Sequence, residues 1–158
     1  MKKYNILFLC THNSARSILG EALASTHPSE KFVGYSAGSS PGSSVNPIAK
    51  ELALAMGYSE LKLRSKSWDE FALPNAPKMD FIITVCDNAA GEVCPYWPGR
   101  PATAHWGFPD PSQVQGTDSE KKVAFIQVMN GLKNRLDTLA AMPLDRLDSM
   151  ALNAIHKK

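Results

Sequence analysis

Apolar and polar positions along the chain fall into short blocks that predict strands alternating with helices. "NILFLC" (5–10) is a near-continuous apolar run of the length expected for a strand buried on both faces. From Ser17 to Ala24, Ile18, Leu19, Ala22 and Leu23 share one helical face, and His27-Pro28 sets the stop. "KFVGYSAG" (31–38) reads as a second strand, followed by a turn at "SSPGSS". Asn46-Pro47 then caps a helix that runs to about Met56 and is closed by Gly57. "FIITVC" (81–86) is a third buried strand, and "TAHW" (103–106) a short fourth. From Thr117 a long helix carries Val123, Ile126, Met129, Leu132, Leu136 and Leu139 at threes and fours. Pro143 opens a last helix with Leu144, Leu147, Ala151 and Ile155 predicted inward.

This alternation predicts an α/β fold: a parallel sheet covered by helices on both faces, in a single domain over residues 1–158. In such sheets ligands bind outside the carboxyl ends of the strands. Cys10 and Cys86 both stand at predicted strand ends. They are therefore expected to share one edge of the molecule across 76 positions of sequence.

Bulk properties narrow the function by exclusion. The chain has 158 residues, 44% of them hydrophobic and 20% charged, which is ordinary for one globular domain with a sizeable core. A net charge of +2 argues for neither a nucleic-acid nor a membrane partner. The apolar stretch Ile6 to Leu9 is shorter than a signal-peptide core of roughly 7–15 residues. No apolar run approaches the roughly 20 residues needed to span a bilayer. The expected location is the cytoplasm. Its reducing conditions make the three cysteines, Cys10, Cys86 and Cys94, candidates for catalysis or metal binding. No Cys-x2-Cys pair supports a zinc site.

The chemistry concentrates in "LFLCTHNSARSILGEAL" (7–23), where Cys10 ends a strand and Arg16 opens a helix. A helix N-terminus presents free backbone N–H groups and the positive end of the helix dipole, which together make an anion site. Thr11, His12, Asn13, Ser14 and Ala15 form a loop that can curl its backbone around a tetrahedral oxyanion, with Asn13 as a brace. Arg16 adds a planar fork to two of the oxygens. The same positive field favours the thiolate of Cys10, and Ser17 is placed to donate a hydrogen bond to it. A nucleophile thus lies under the centre of a bound oxyanion. The plainer alternative is a buried strand cysteine beside an unrelated surface arginine, and the strand-to-helix placement argues against it.

"CTHNSARS", followed by "SAG" at 36–38 and "PDP" at 109–111, resembles the low-molecular-weight tyrosine phosphatase superfamily over nearly the whole chain. The resemblance implies a four-stranded parallel sheet in the order 2-1-3-4 with helices on both sides. It matches Cys10, Arg16 and Ser17 to the superfamily's Cys-x5-Arg-Ser loop and Asp110, in Asp110-Pro111, to its general acid. Two branches compete. Phosphatases of the group place tyrosines after the acidic Asp-Pro, whereas here Ser112 and Gln113 follow Pro111. The thioredoxin-coupled arsenate reductases of the superfamily carry a further cysteine pair, which "VCDNAAGEVCP" resembles through Cys86 and Cys94.

The reductase resemblance implies a thiol relay in which Cys10 attacks arsenate, Cys86 takes over the oxidised sulfur and Cys94 passes it on. Thioredoxin or a similar dithiol then restores the thiols. Some reductases of this branch bind potassium near the loop. By resemblance the oxygens come from Asn13, Glu21, Ser36 and Asp69, the last aligned only through "SKSWDEF". No tightly bound cofactor is otherwise implied.

Overall fold

A computed structural model describes residues 3–42, 44–85, 101–144 and 155. Strands β1 (Tyr4–Cys10), β2 (Phe32–Gly38), β3 (Phe81–Thr84) and β4 (Ala102–His105) form one parallel sheet in the order β2-β1-β3-β4. Helices α1 (Arg16–Ser25), α2 (Pro47–Ala55) and α3 (Asp118–Ala140) connect and cover it. Short 3-10 turns stand at Glu60–Lys62, Trp68–Phe71 and Pro111–Gln113. Among the described residues, no helix is long and apolar enough to cross a membrane.

The central strand β1 is buried from Ile6 to Cys10, because alternate side chains enter two separate apolar layers. Ile6, Phe8 and Cys10 join α1, α2 and α3 through Ile18, Leu19, Leu52, Leu132 and Leu136. Leu7 and Leu9 pack on the other side against Trp68, Phe71 and Met79. A strand with water on neither face needs an unbroken apolar run, and "ILFL" supplies it.

The long helix starts where the sequence predicts, because Thr117 and Glu120 cap each other's backbone N–H groups reciprocally. Its buried stripe in the first two turns differs from the predicted one. Phe125 and Val128 enter the core with Leu132, Leu136 and Leu139, while Val123 is 53% exposed and Ile126 and Met129 are half-buried. The helix carries two overlapping apolar stripes there, and only tertiary packing, chiefly against α1 and the Pro111–Gln113 turn, selects between them. Of the predicted last helix, Leu144 and Ile155 are buried in the main core, while Leu147 and Ala151 lie outside the described residues.

Close approach of α1 to β2 depends on Gly34. A Cβ on that residue would overlap the backbone carbonyl of Glu21. Backbone cannot swing aside as a side-chain tip does, so Gly34→Ala is expected to lower stability by about 2–3 kcal/mol. The urea midpoint should fall with an unchanged slope.

Candidate active site

Cys10 sits at the carboxyl end of β1, next to Gly38 of β2, and the chain then loops through residues 11–15 into α1 at Arg16. Gly38 admits this loop. A Cβ there would stand 2.5 Å from Thr11 O and 2.9 Å from Cys10 O. Asn13 takes a left-handed backbone conformation (φ 50°), which a short polar side chain tolerates and which turns the loop on itself.

The loop's carbonyls are held from outside. Thr11 O accepts from Ser40 N (2.9 Å), His12 O from Gly42 N (3.0 Å) and Ser65 Oγ (2.8 Å), and Ser14 O from Asn46 N (2.8 Å). No side chain caps the start of α1 at Ala15, and the N–H groups of His12 to Ser17 meet no acceptor among the described residues. Acceptors anchored away and donors left open make a cradle for an anion. The His12 ring bonds Ser40 O (3.1 Å) on the exposed side, so its backbone joins the cradle while its side chain does not.

Beneath the cradle, Cys10 Sγ lies 2.9 Å from Ser17 Oγ, and Asn13 Nδ2 donates to the same oxygen at 2.8 Å. With one lone pair engaged by Asn13, the Ser17 hydroxyl stays within hydrogen-bond reach of the sulfur, and either atom can supply the hydrogen. Cys10 and Ser17 are buried, as is Asn13. A short chain of hydrogen-bonded groups, Asn13, Ser17 and Cys10, therefore ends on the sulfur at the floor of the cradle.

Arg16 reaches across to the segment after β4. Its Nη1 donates to Phe108 O (2.8 Å), and its Nη2 lies 3.6 Å from Asp110 Oδ2. Phe108 is itself clamped, since its N–H bonds Val85 O (3.2 Å) and the Arg135 guanidinium stacks 4.7 Å from its ring centre. Asp110 Oδ1 accepts from Ser112 N (2.9 Å) and Ser112 Oγ (2.6 Å). Burial raises the Asp110 pKa, but the Ser112 bonds and the Arg16 charge outweigh it, leaving the carboxyl below its usual range. Thus Arg16 and Asp110, 94 positions apart in sequence, meet at the mouth of the loop.

Cys86 and Cys94 lie outside the described residues. The approach to Cys86 is described: Val85 N donates to Leu9 O at 2.9 Å, continuing the pairing of β3 with β1. His105 and Trp106 serve packing. Trp106 is fully buried, and the His105 ring bonds Thr84 Oγ1 at 2.8 Å.

Of the four oxygen-bearing residues predicted to surround a cation, three meet. Ser36 Oγ donates to Glu21 Oε1 (2.5 Å), and Tyr58 OH donates to Glu21 Oε2. Into this group points Lys66, whose Nζ lies 3.4 Å from Asn13 Oδ1, 3.3 Å from Ser36 Oγ and 3.6 Å from Glu21 Oε1. Asp69 stands apart. It is exposed on the Trp68–Phe71 turn, and its carboxylate makes no hydrogen bond or ion pair among the described residues. Burial pushes the Tyr58 hydroxyl well above its ordinary range, with the Glu21 charge adding to it. Sequence reasoning missed both Lys66 and Tyr58, because a lysine in a polar stretch and a tyrosine after a helix carry no signal of this pairing.

A family model described as low molecular weight phosphotyrosine protein phosphatase matches residues 5–150. The chain is 36% identical over 140 residues to arsenate reductases of Halalkalibacterium halodurans and Bacillus subtilis, covering 89% of this chain and 97% of each relative. Among solved structures, an arsenate reductase from Archaeoglobus fulgidus superposes with a TM-score of 0.65 at 25% identity, over 87% of this chain and 99% of that one. A low molecular weight phosphotyrosine phosphatase from Vibrio cholerae shares the fold, with a TM-score of 0.64 at 16% identity. Strand order, the Cys10–Arg16 loop and a match across residues 5–150 agree, and the chain belongs to the low molecular weight phosphotyrosine protein phosphatase family.

Proposed function

We propose that the protein reduces arsenate to arsenite, with Cys10 as nucleophile and Cys86 and Cys94 as a relay to an external dithiol such as thioredoxin. The observation that carries this reading is a buried thiol 2.9 Å from a hydroxyl, under a loop of open N–H groups, in a chain 36% identical to arsenate reductases. Arsenate is tetrahedral and anionic, as the cradle requires.

In the first step Arg16 leaves Phe108 O and Asp110 for two oxygens of the anion. Loss of that ion pair and arrival of negative charge both raise the affinity of Asp110 for a proton. The Cys10 thiolate attacks arsenic while Asp110 protonates a departing oxygen, which leaves as water. Cys86 then attacks Cys10 Sγ. The S–As bond breaks with its electron pair on arsenic, giving arsenite and a Cys10–Cys86 disulfide. Cys94 attacks Cys86, freeing the Cys10 thiolate and leaving a Cys86–Cys94 disulfide for the external dithiol. The Val85 N to Leu9 O bond supports this order, since it sets the residues preceding Cys86 and Cys10 side by side. A reducing compartment, the cytoplasm, keeps all three thiols available.

The direct test is arsenate-dependent NADPH oxidation with thioredoxin and its reductase, run beside p-nitrophenyl phosphate hydrolysis. We expect sustained oxidation, weak hydrolysis and, by mass spectrometry after arsenate alone, a Cys86–Cys94 disulfide. Strong hydrolysis without arsenate-dependent oxidation under any thiol donor would assign the protein to the phosphatases.

A further inference from the structure

The polar cluster behind the loop holds a buried charge pair that the reaction itself does not use. Glu21 and Lys66 are 3% and 7% exposed, so each charge depends on its neighbours for compensation. We infer that the Lys66 ammonium is a built-in cation, standing where a potassium ion would otherwise lie among Asn13, Glu21 and Ser36, and that it makes the protein independent of potassium.

Each hydrogen-bond or ion-pair partner of Nζ among the described residues presents an oxygen lone pair. Arg64 O lies at 2.8 Å, Ser36 Oγ at 3.3 Å, Asn13 Oδ1 at 3.4 Å and Glu21 Oε1 at 3.6 Å. Ser36 has spent its own hydrogen on Glu21 Oε1, and Tyr58 occupies Glu21 Oε2. A pocket of acceptors around one point is a cation site, and the three N–H donors of an ammonium fill it. A potassium ion placed there would collide with Nζ, and Asp69 is not at hand to build a second position.

The backbone fixes the ammonium in place. Lys66 N donates to Asn13 Oδ1 (2.9 Å), Lys66 O accepts from Gly38 N (2.9 Å), and Ser67 bridges to Gly38. The cation thereby braces the amide of Asn13, whose other end holds Ser17 under Cys10. That last link rests on the reading of Cys10 as nucleophile, whereas the cation site stands without it. Removing the side chain would leave the buried Glu21 carboxyl with Ser36 and Tyr58 but without its cationic neighbour. Glu21, Tyr58, Arg64 and Lys66 also line an open cavity of about 480 Å³, so an ion from solvent has a route to the gap.

Thermal unfolding of the full chain in KCl and in choline chloride at equal ionic strength tests this without arsenate, so its outcome is independent of the reductase reading. The parent should melt at the same temperature in both salts. Lys66→Ala should melt lower in choline chloride and recover in KCl, by roughly 3–6 °C at ten times the dissociation constant of the ion. A parent melting temperature that rises in KCl overturns the inference, as does a Lys66→Ala variant that melts alike in the two salts. Should Lys66→Ala not fold, the parent comparison decides alone: invariance sustains the built-in cation and a potassium-dependent rise removes it.

Discussion

Cys10→Ser is expected to abolish arsenate reduction and phosphoester hydrolysis together. Both reactions begin with the same attack from the floor of the cradle, and a serine hydroxyl there remains protonated at neutral pH. The network around Cys10 makes the loss specific to chemistry. Ser17 Oγ at 2.9 Å serves a serine at position 10 as readily as a thiol, and the exchange removes little volume from a site 4% exposed. The variant should therefore unfold near the parent's urea midpoint and still bind phosphate or arsenate. Single-turnover assays with each substrate decide the matter. Turnover comparable to the parent would withdraw the nucleophile from position 10 and with it the whole relay.

Asp110→Asn should slow the first chemical step by roughly 10²–10⁴-fold, the usual contribution of a positioned general acid. Asparagine keeps the shape and can still accept from Ser112 N and Oγ, so the turn at Pro111–Gln113 persists. What it cannot do is give up a proton. Oxyanion affinity should hold or rise slightly, because Arg16 loses a competing carboxylate 3.6 Å away. A lowered carboxyl also carries a stability consequence. Burial works against ionisation while Ser112 and Arg16 favour it more strongly, so the folded value lies below the unfolded one. The resulting stability is present at pH values above the unfolded Asp range and is lost as pH falls through the folded one. Asp110→Asn should accordingly lose stability at neutral pH and converge on the parent in acid. Rapid-quench kinetics measure the first effect and pH-dependent denaturation the second. An unchanged single-turnover rate would reduce Asp110 to a turn residue.

The sequence alone determined the strand and helix order, because burial on both faces of β1 demands the run Ile6 to Leu9 and helical connections demand a 3.6-residue period. It also determined the loop chemistry. Cys10, the five residues after it and Arg16 are contiguous, so their types and spacing are legible locally, although Ser40, Gly42, Asn46 and Ser65 hold the loop's carbonyls from outside. Four matters were settled only by tertiary structure. Phe125 and Val128 are buried in the core while Val123 is exposed and Ile126 only half-buried against it, because two stripes of similar hydrophobicity differ only in which one the neighbouring elements meet. Arg16 found Phe108 O and Asp110 across 92 and 94 positions, a meeting set by the neighbouring carboxyl ends of β1, β3 and β4. Gly34 and Gly38 let α1 and the loop approach β2, a need visible only when the neighbouring carbonyls are in place. Lys66 entered the cluster of Asn13, Glu21 and Ser36 in place of Asp69. One residue's choice of direction on an edge segment decides that last point. Pattern and spacing do not encode it, because a buried charge is stabilised by partners that only the fold brings within reach.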